Sequence, residues 1–176
     1  MTEELRMYSF TNFYMHTIQQ GIQPGHAAVE LFVKYSLHGK RTTDIIGESQ
    51  RDMLYDWAKN WKTFICLNGG DNSGVQEMFE FLSDPQNPYP WSPFHESEAA
   101  LNGVMTTVAV VLPARIFDTA SLLRRRELPP GVHYTFDRLL DEHRFAFDDD
   151  DGKRIETFTP WEYELMVRLN QYGLAK

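Results

Sequence analysis

Cysteine is nearly absent. Cys66 is the only one in 176 residues, so no disulfide can form within the chain and a disulfide-stapled fold is excluded. Long apolar runs are missing as well: none approaches the ~20 residues that a membrane-spanning helix needs, so no membrane partner is expected. Basic charge is scarce. Lys and Arg number 17 against 25 acids, a formal net charge of −8, which repels a phosphate backbone unless the basic residues cluster. The glycine-rich stretch 69–74, Gly-Gly-Asp-Asn-Ser-Gly, lacks the Gly-Lys-Ser/Thr ending of a nucleoside-triphosphate loop. The acidic run 148–151 fails as a calcium loop. With Gly152 as the invariant glycine, Phe147 and Phe158 would fall on the first and last ligand positions. The six histidines are scattered, so neither a metal nor a cofactor is expected. The opening Met1-Thr2-Glu3-Glu4 lacks the charged-then-apolar layout of a signal peptide, and the expected location is the cytoplasm.

The composition that remains is globular: 42% apolar, 14% aromatic and 24% charged, enough for a domain with a sizeable core. Residues 6–16, rich in Tyr, Phe, Met and Thr, read as a strand. Gly21, Pro24 and Gly25 mark 19–25 as a loop. A helix follows over 26–37, with Ala27, Ala28, Leu31, Phe32 and Tyr35 on one face. Ser49 with Asp52, and Ser73 with Gln76, read as capping boxes opening two further helices. Between them, 62–67 is continuously apolar after Lys62, which fits a central strand covered on both faces. Cys66 lies in that run and reads as a small core residue rather than a nucleophile. Residues 83–95 carry four prolines, with a short strand near 94–95 before the β-branched strand 106–112. Alternating strands and helices argue for an α/β layered domain. Beyond 113 the pattern changes: a helix over 114–127, a short helix over 137–143, an acidic turn, and a last helix opened by Thr159-Pro160 that buries Trp161, Leu165 and Leu169.

The ordered series of elements resembles the type-two peptidyl-tRNA hydrolases over residues 6–113. Gly25-His26-Ala27-Ala28-Val29 is similar to that family's helix-opening Ser-His-Ala-Ala-Val, and Gln23 falls on a family glutamine. The stretch 61–67 resembles its Trp…Lys-Ile-Val-Leu strand, and Asn102-Gly103 through Val110 its Gly-Ser-x-Thr-Val strand. The resemblance implies a three-layer sandwich with a mixed four-stranded sheet for 1–113. Residues 114–176 are then a mostly helical C-terminal extension packed on it. A homodimer is a further implication. The pattern is also similar to relatives encoded by tailed phages.

Two departures bear on function. The family's loop lysine, seven residues before the histidine, is Gln19 here, and its Asp-Ala-Gly-x-Thr stretch corresponds to Phe94-His95-Glu96-Ser97-Glu98. A lysine stabilises a developing oxyanion or a phosphate; a neutral glutamine offers only a polar contact. In the expected cleft, His26 with Glu96 or Glu98 forms a candidate acid–base pair, against the plain alternatives of packing and a polar loop. Gln19, Gln23, His26, Asn68, His95, Glu96, Thr106 and Thr107 are candidate ligand contacts. Asn68 ends a strand, where α/β folds bind ligands, and turn chemistry accounts for it equally well. Arg115 with Arg124, Arg125 and Arg126 is the only basic cluster, open to RNA or an anion and equally a solvated helix end. Trp91, Tyr89 and Phe94 offer rings for stacking on a base.

Three functions compete. The first is a non-hydrolytic domain binding a nucleotide-like or small anionic ligand in the old cleft, as a phage protein sequestering a host defence signal would. The second is an active hydrolase acting on peptidyl-tRNA. The third is a protein–protein interaction module working through the extension.

Overall fold

The computed structural model describes residues 3–35, 45–125, 132–139 and 142–174. The chain divides into two compact units, Met1–Ala114 with Tyr172–Lys176, and Arg115–Gln171.

The first unit is α/β, built on a mixed four-stranded sheet. Strand β1 (Leu5–Thr11) leads to helices α1 (Thr17–Lys34) and α2 (Ile45–Asp56), then β2 (Thr63–Asn68) and α3 (Asn72–Leu82). Strand β3 (Trp91–His95), the short α4 (Glu98–Leu101) and β4 (Met105–Pro113) complete it. The order across the sheet is β2-β1-β4-β3, with β2 parallel to β1 and the other neighbours antiparallel. Alternation along β1 divides its residues between two faces. On one face Leu5 and Met7, with Ala109 and Val111 of β4, form a core with Ala27, Ala28 and Leu31 of α1 and with Leu54 and Trp57. Tyr8, Phe10, Val108 and Val110 take the other face and are fully buried, as are Val75, Met78 and Leu82 of α3.

Several elements depart from expectation. β1 stops at Thr11 and α1 begins at Thr17, running straight through the expected loop 19–25. His16 caps it in a reciprocal box with Gln19. Pro24 removes one helical bond, the one to the carbonyl four residues back. Its burial with Gln23 against the core offsets that loss. β2 is an edge strand, not the central one, and its Phe64 is 46% exposed. α2 starts four residues before Ser49, and α3 is capped by Asp71 rather than Ser73. Asp71 Oδ1 accepts from the backbone N–H groups of Ser73 and Gly74. After α2 the helix widens into a π-helical turn, Trp57–Trp61. The Asp56 carboxylate holds it through Asn60 and Trp61, and Lys62, at φ 56°, ends it. Residues 172–174 return to this unit: Asn68 N–H donates to Gly173 O at 2.9 Å, and Tyr172 packs edge-on against Phe10.

The second unit corrects the mostly helical expectation. Between α5 (Ala114–Arg125) and α6 (Pro160–Leu169) stands a three-stranded antiparallel sheet: β5 (Val132–Leu139), β6 (Glu142–Asp149) and β7 (Arg154–Phe158). Val132, Tyr134 and Phe136 alternate with His133, Thr135 and Asp137, which is strand period. α6 is as expected at its start. Thr159 and Glu162 form a reciprocal cap with Pro160 in the first turn, and Trp161, Leu165, Met166 and Leu169 are buried.

Candidate functional site

The carboxyl end of β1, the amino end of β4, the segment after β3 and the first half of α1 meet in one polar cluster. Its centre is Gln23, only 2% exposed. Gln23 lies in the α1 turn that Pro24 and Ala27 anchor in the core, so its amide is carried inward. Nε2 of Gln23 donates to Glu96 Oε1 at 2.9 Å, and Oε1 accepts from Thr106 Oγ1 at 2.8 Å. A bulge explains how two adjacent threonines serve two partners. Phe94 pairs with Thr107 and His95 with Met105, so Thr106 is the extra residue. Thr107 Oγ1 instead meets Thr11 Oγ1 at 3.0 Å. Asn12 continues the cluster: its N–H donates to Thr106 O, and its side-chain amide joins Asn72.

Beside this network the imidazole of His26 lies parallel to the ring of Phe94, with centroids 4.6 Å apart and planes 9° from parallel. His26 is exposed and Phe94 half-buried. Phe94 packs against the core under α1, which fixes the ring that backs the histidine.

The sequence-derived candidates therefore divide. Gln23, His26, Glu96, Thr106 and Thr107 converge. No hydrogen bond joins His26 to Glu96; the Glu96 carboxylate is engaged by Gln23. Gln19 is used at the start of α1, where its Oε1 accepts from His16 N–H. Asn68 Oδ1 accepts from Gly70 N–H, closing the turn after β2. His95 and Glu98 are exposed, at the end of β3 and the start of α4. Arg115 belongs to the second unit, where it pairs with Glu162 at 3.0 Å and Glu156 at 3.4 Å and lies over Phe158. Arg126 lies outside the described residues, as do the side chains of Arg124 and Arg125. Tyr89 is buried, and the Trp91 ring is taken by Phe79 and by Lys34 Nζ, 3.8 Å from its centroid. Thr11 and Asn12 were not singled out from sequence. Their signal is a pair of polar residues closing an otherwise apolar strand at its carboxyl end, where ligands bind in open α/β sheets.

Chemically the cluster is a neutral hydrogen-bond chain ending in one carboxylate, beside an exposed ring pair. A general base needs a partner to orient it, and His26 has a ring neighbour instead. Among the described residues no group of His, Cys, Asp and Glu could hold a metal ion. No helix of the described chain is long and apolar enough to cross a membrane. No protein-family model and no curated protein matches this chain.

Proposed function

We propose that the Met1–Ala114 unit is a divergent relative of the type-two peptidyl-tRNA hydrolases that binds a nucleotide-like ligand without hydrolysing it. The observation that carries this reading is the parallel stack of His26 on Phe94. An exposed ring backed by a second ring is a platform for a nucleobase, and stacking of a base on an aromatic side chain is worth ~1–3 kcal/mol. Glu96, half-buried beside the ring pair and held by Gln23 through Oε1, supplies a carboxylate that reads a base edge by hydrogen bonding. The carboxylate argues for the base rather than the phosphate as the recognised end. Lys34, on the same helix, is held at the Trp91 carbonyl. A binder that does not turn over its ligand removes it from solution, as a phage protein sequestering a host defence signal would.

The test is calorimetric titration of the purified protein with nucleosides and nucleoside monophosphates of all four bases, beside a peptidyl-tRNA hydrolysis assay. We expect one base to bind, with nucleoside and nucleotide of similar affinity, and His26→Ala and Phe94→Leu to weaken binding about tenfold. Absence of binding by every base would sink the reading. Peptidyl-tRNA turnover that disappears in His26→Ala would replace it with the hydrolase.

A further inference from the structure

The hydrogen-bond chain at the centre of the site runs one way. Thr106 Oγ1 donates to Gln23 Oε1, which turns the amide so that its Nε2 donates to Glu96 Oε1. Thr106 and Gln23 are almost fully buried, so the amide has no water to turn towards. The chain ends on a group that, when ionised, only accepts. Among the described residues nothing donates to Glu96 Oε2. Glu96 is half-buried, so its carboxylate is anchored at one oxygen and open at the other. A carboxylate has about four lone-pair sites, and Gln23 uses one of them.

The same two segments carry the ring stack. His26 and Gln23 are one turn apart on α1, and Phe94 and Glu96 are two residues apart at the end of β3. Helix and strand end are therefore linked twice, once by the stacked rings and once by the hydrogen bond to the carboxylate. A base laid on the exposed imidazole has its edge beside an acceptor.

The donors and acceptors of each base decide which edge fits. Guanine carries a ring N–H next to an exocyclic amino group. These are two donors side by side, which the two oxygens of a carboxylate accept together. Adenine and cytosine carry an amino donor next to a ring-nitrogen acceptor, whose lone pair would face the second oxygen. The one ring N–H of uracil stands between two carbonyl oxygens, which are acceptors as well. A reader that only accepts rejects these three by setting lone pair against lone pair.

We propose that the site is specific for guanine and that Glu96 selects it, its two oxygens accepting from the ring N–H and the amino group of a guanine stacked on His26. The proposal rests on the nucleotide-binding reading and adds to it the base and the residue that chooses it.

The experiment is calorimetric titration of the full chain, wild type and Glu96→Gln, with the monophosphates of guanosine, inosine, adenosine, cytidine and uridine. Inosine is guanosine without the amino group. Wild type should bind guanosine monophosphate best and inosine monophosphate about tenfold or more weaker, the loss of one hydrogen bond to a charged group. Glu96→Gln keeps an oxygen for Gln23 Nε2 and presents an amino group where the second oxygen was. An amide offers a donor beside an acceptor, the complement of adenine. The variant should therefore lose guanosine monophosphate by about tenfold or more and bind adenosine monophosphate better than wild type does. The inosine comparison needs no variant, so it decides the matter even where Glu96→Gln fails to fold. Equal binding of guanosine and inosine monophosphates overturns the proposal, as does a folded Glu96→Gln that still prefers guanine. A wild type that prefers another base, and loses it in His26→Ala, also overturns the proposal while the nucleotide-binding reading stands. Binding of none of the five overturns both.

Discussion

Thr106 donates its hydroxyl to Gln23 at 2.8 Å across 83 residues of chain, and both side chains are almost fully buried. The other end of the same amide holds Glu96. One side chain thus ties α1 to both sides of the β3–β4 connection. Gln23→Leu removes two hydrogen bonds and leaves a buried hydroxyl unpaired, a cost of about 1–3 kcal/mol. Urea unfolding should show that loss as a lower midpoint at unchanged slope. Gln23→Glu faces Glu96 with a second carboxylate, and its deficit should grow as pH rises through the carboxylate range. A Leu variant as stable as wild type would mean that the amide organises nothing.

The loop after β2 rests on two glycines packed on each other. A Cβ on Gly74 would lie 2.4 Å from the Gly69 carbonyl oxygen. That oxygen cannot easily yield, because Gly69 N–H is bonded to Thr11 O at 2.8 Å. Gly74→Ala should therefore destabilise by more than about 2 kcal/mol. Gly21, in the interior of α1, has nothing within 4 Å of an added Cβ. Gly21→Ala should stabilise by roughly 0.5–1 kcal/mol through helix propensity alone. Thermal melts of the two variants should move in opposite directions, and movement in the same direction would contradict this account.

The first unit was largely legible in sequence because its strands are apolar and its punctuation strong. Residues 106–112 were readable for that reason, and in the second unit so was the cap at Thr159. What misled was punctuation overridden by burial. Gly21, Pro24 and Gly25 look like a loop, yet the apolar spacing of Pro24, Ala27, Ala28 and Leu31 and the cap at His16 carry the helix through them. β2 looked central because its sequence is continuously apolar after Lys62, yet it lies at the sheet edge with Phe64 46% exposed. The sheet of the second unit was hidden by Leu139-Leu140, which imitates a helical turn and drew attention from the alternation ahead of it. In the site, Gln23, His26 and Glu96 were found through the family resemblance. Thr11 is brought to Thr107 by antiparallel pairing of β1 with β4, a relationship that local sequence does not encode.

Ser9 is 1% exposed and its hydroxyl has no hydrogen-bond partner among the described residues. Its neighbours across the sheet are Cys66 and Ala109, and small side chains in this row leave room for the close approach of Ala27 and Ala28. An unpaired buried hydroxyl is a cost without a return. Ser9→Ala keeps the size and removes the penalty, so stability should rise by about 1 kcal/mol. A drop of similar size would show that the hydroxyl is satisfied in solution.

The carboxyl end of α1 supplies a prediction in alkali. Lys34 Nζ donates to the Trp91 carbonyl at 2.9 Å, and Trp91 N–H approaches the Tyr35 hydroxyl at 3.4 Å. Burial lowers the Lys34 ammonium from 10.5 to about 8 and raises the Tyr35 phenol from 10.0 to about 12. Between pH 8 and 10.5 the unfolded chain holds a lysine proton that the folded chain has lost, so stability rises with pH there. Between pH 10 and 12 the folded chain holds a phenolic proton that the unfolded chain has lost, so that contribution falls. Lys34 is an exposed residue, and solvent screening makes the rise shallow. The cation also sits over the Trp91 ring, which favours the charged form and opposes the shift. Unfolding curves from pH 7 to 11.5 should therefore show wild type gaining on Lys34→Met up to about pH 10, then losing ground to Tyr35→Phe above it. Parallel curves for wild type and Lys34→Met would show that the ring and the carbonyl outweigh desolvation, leaving Lys34 charged throughout.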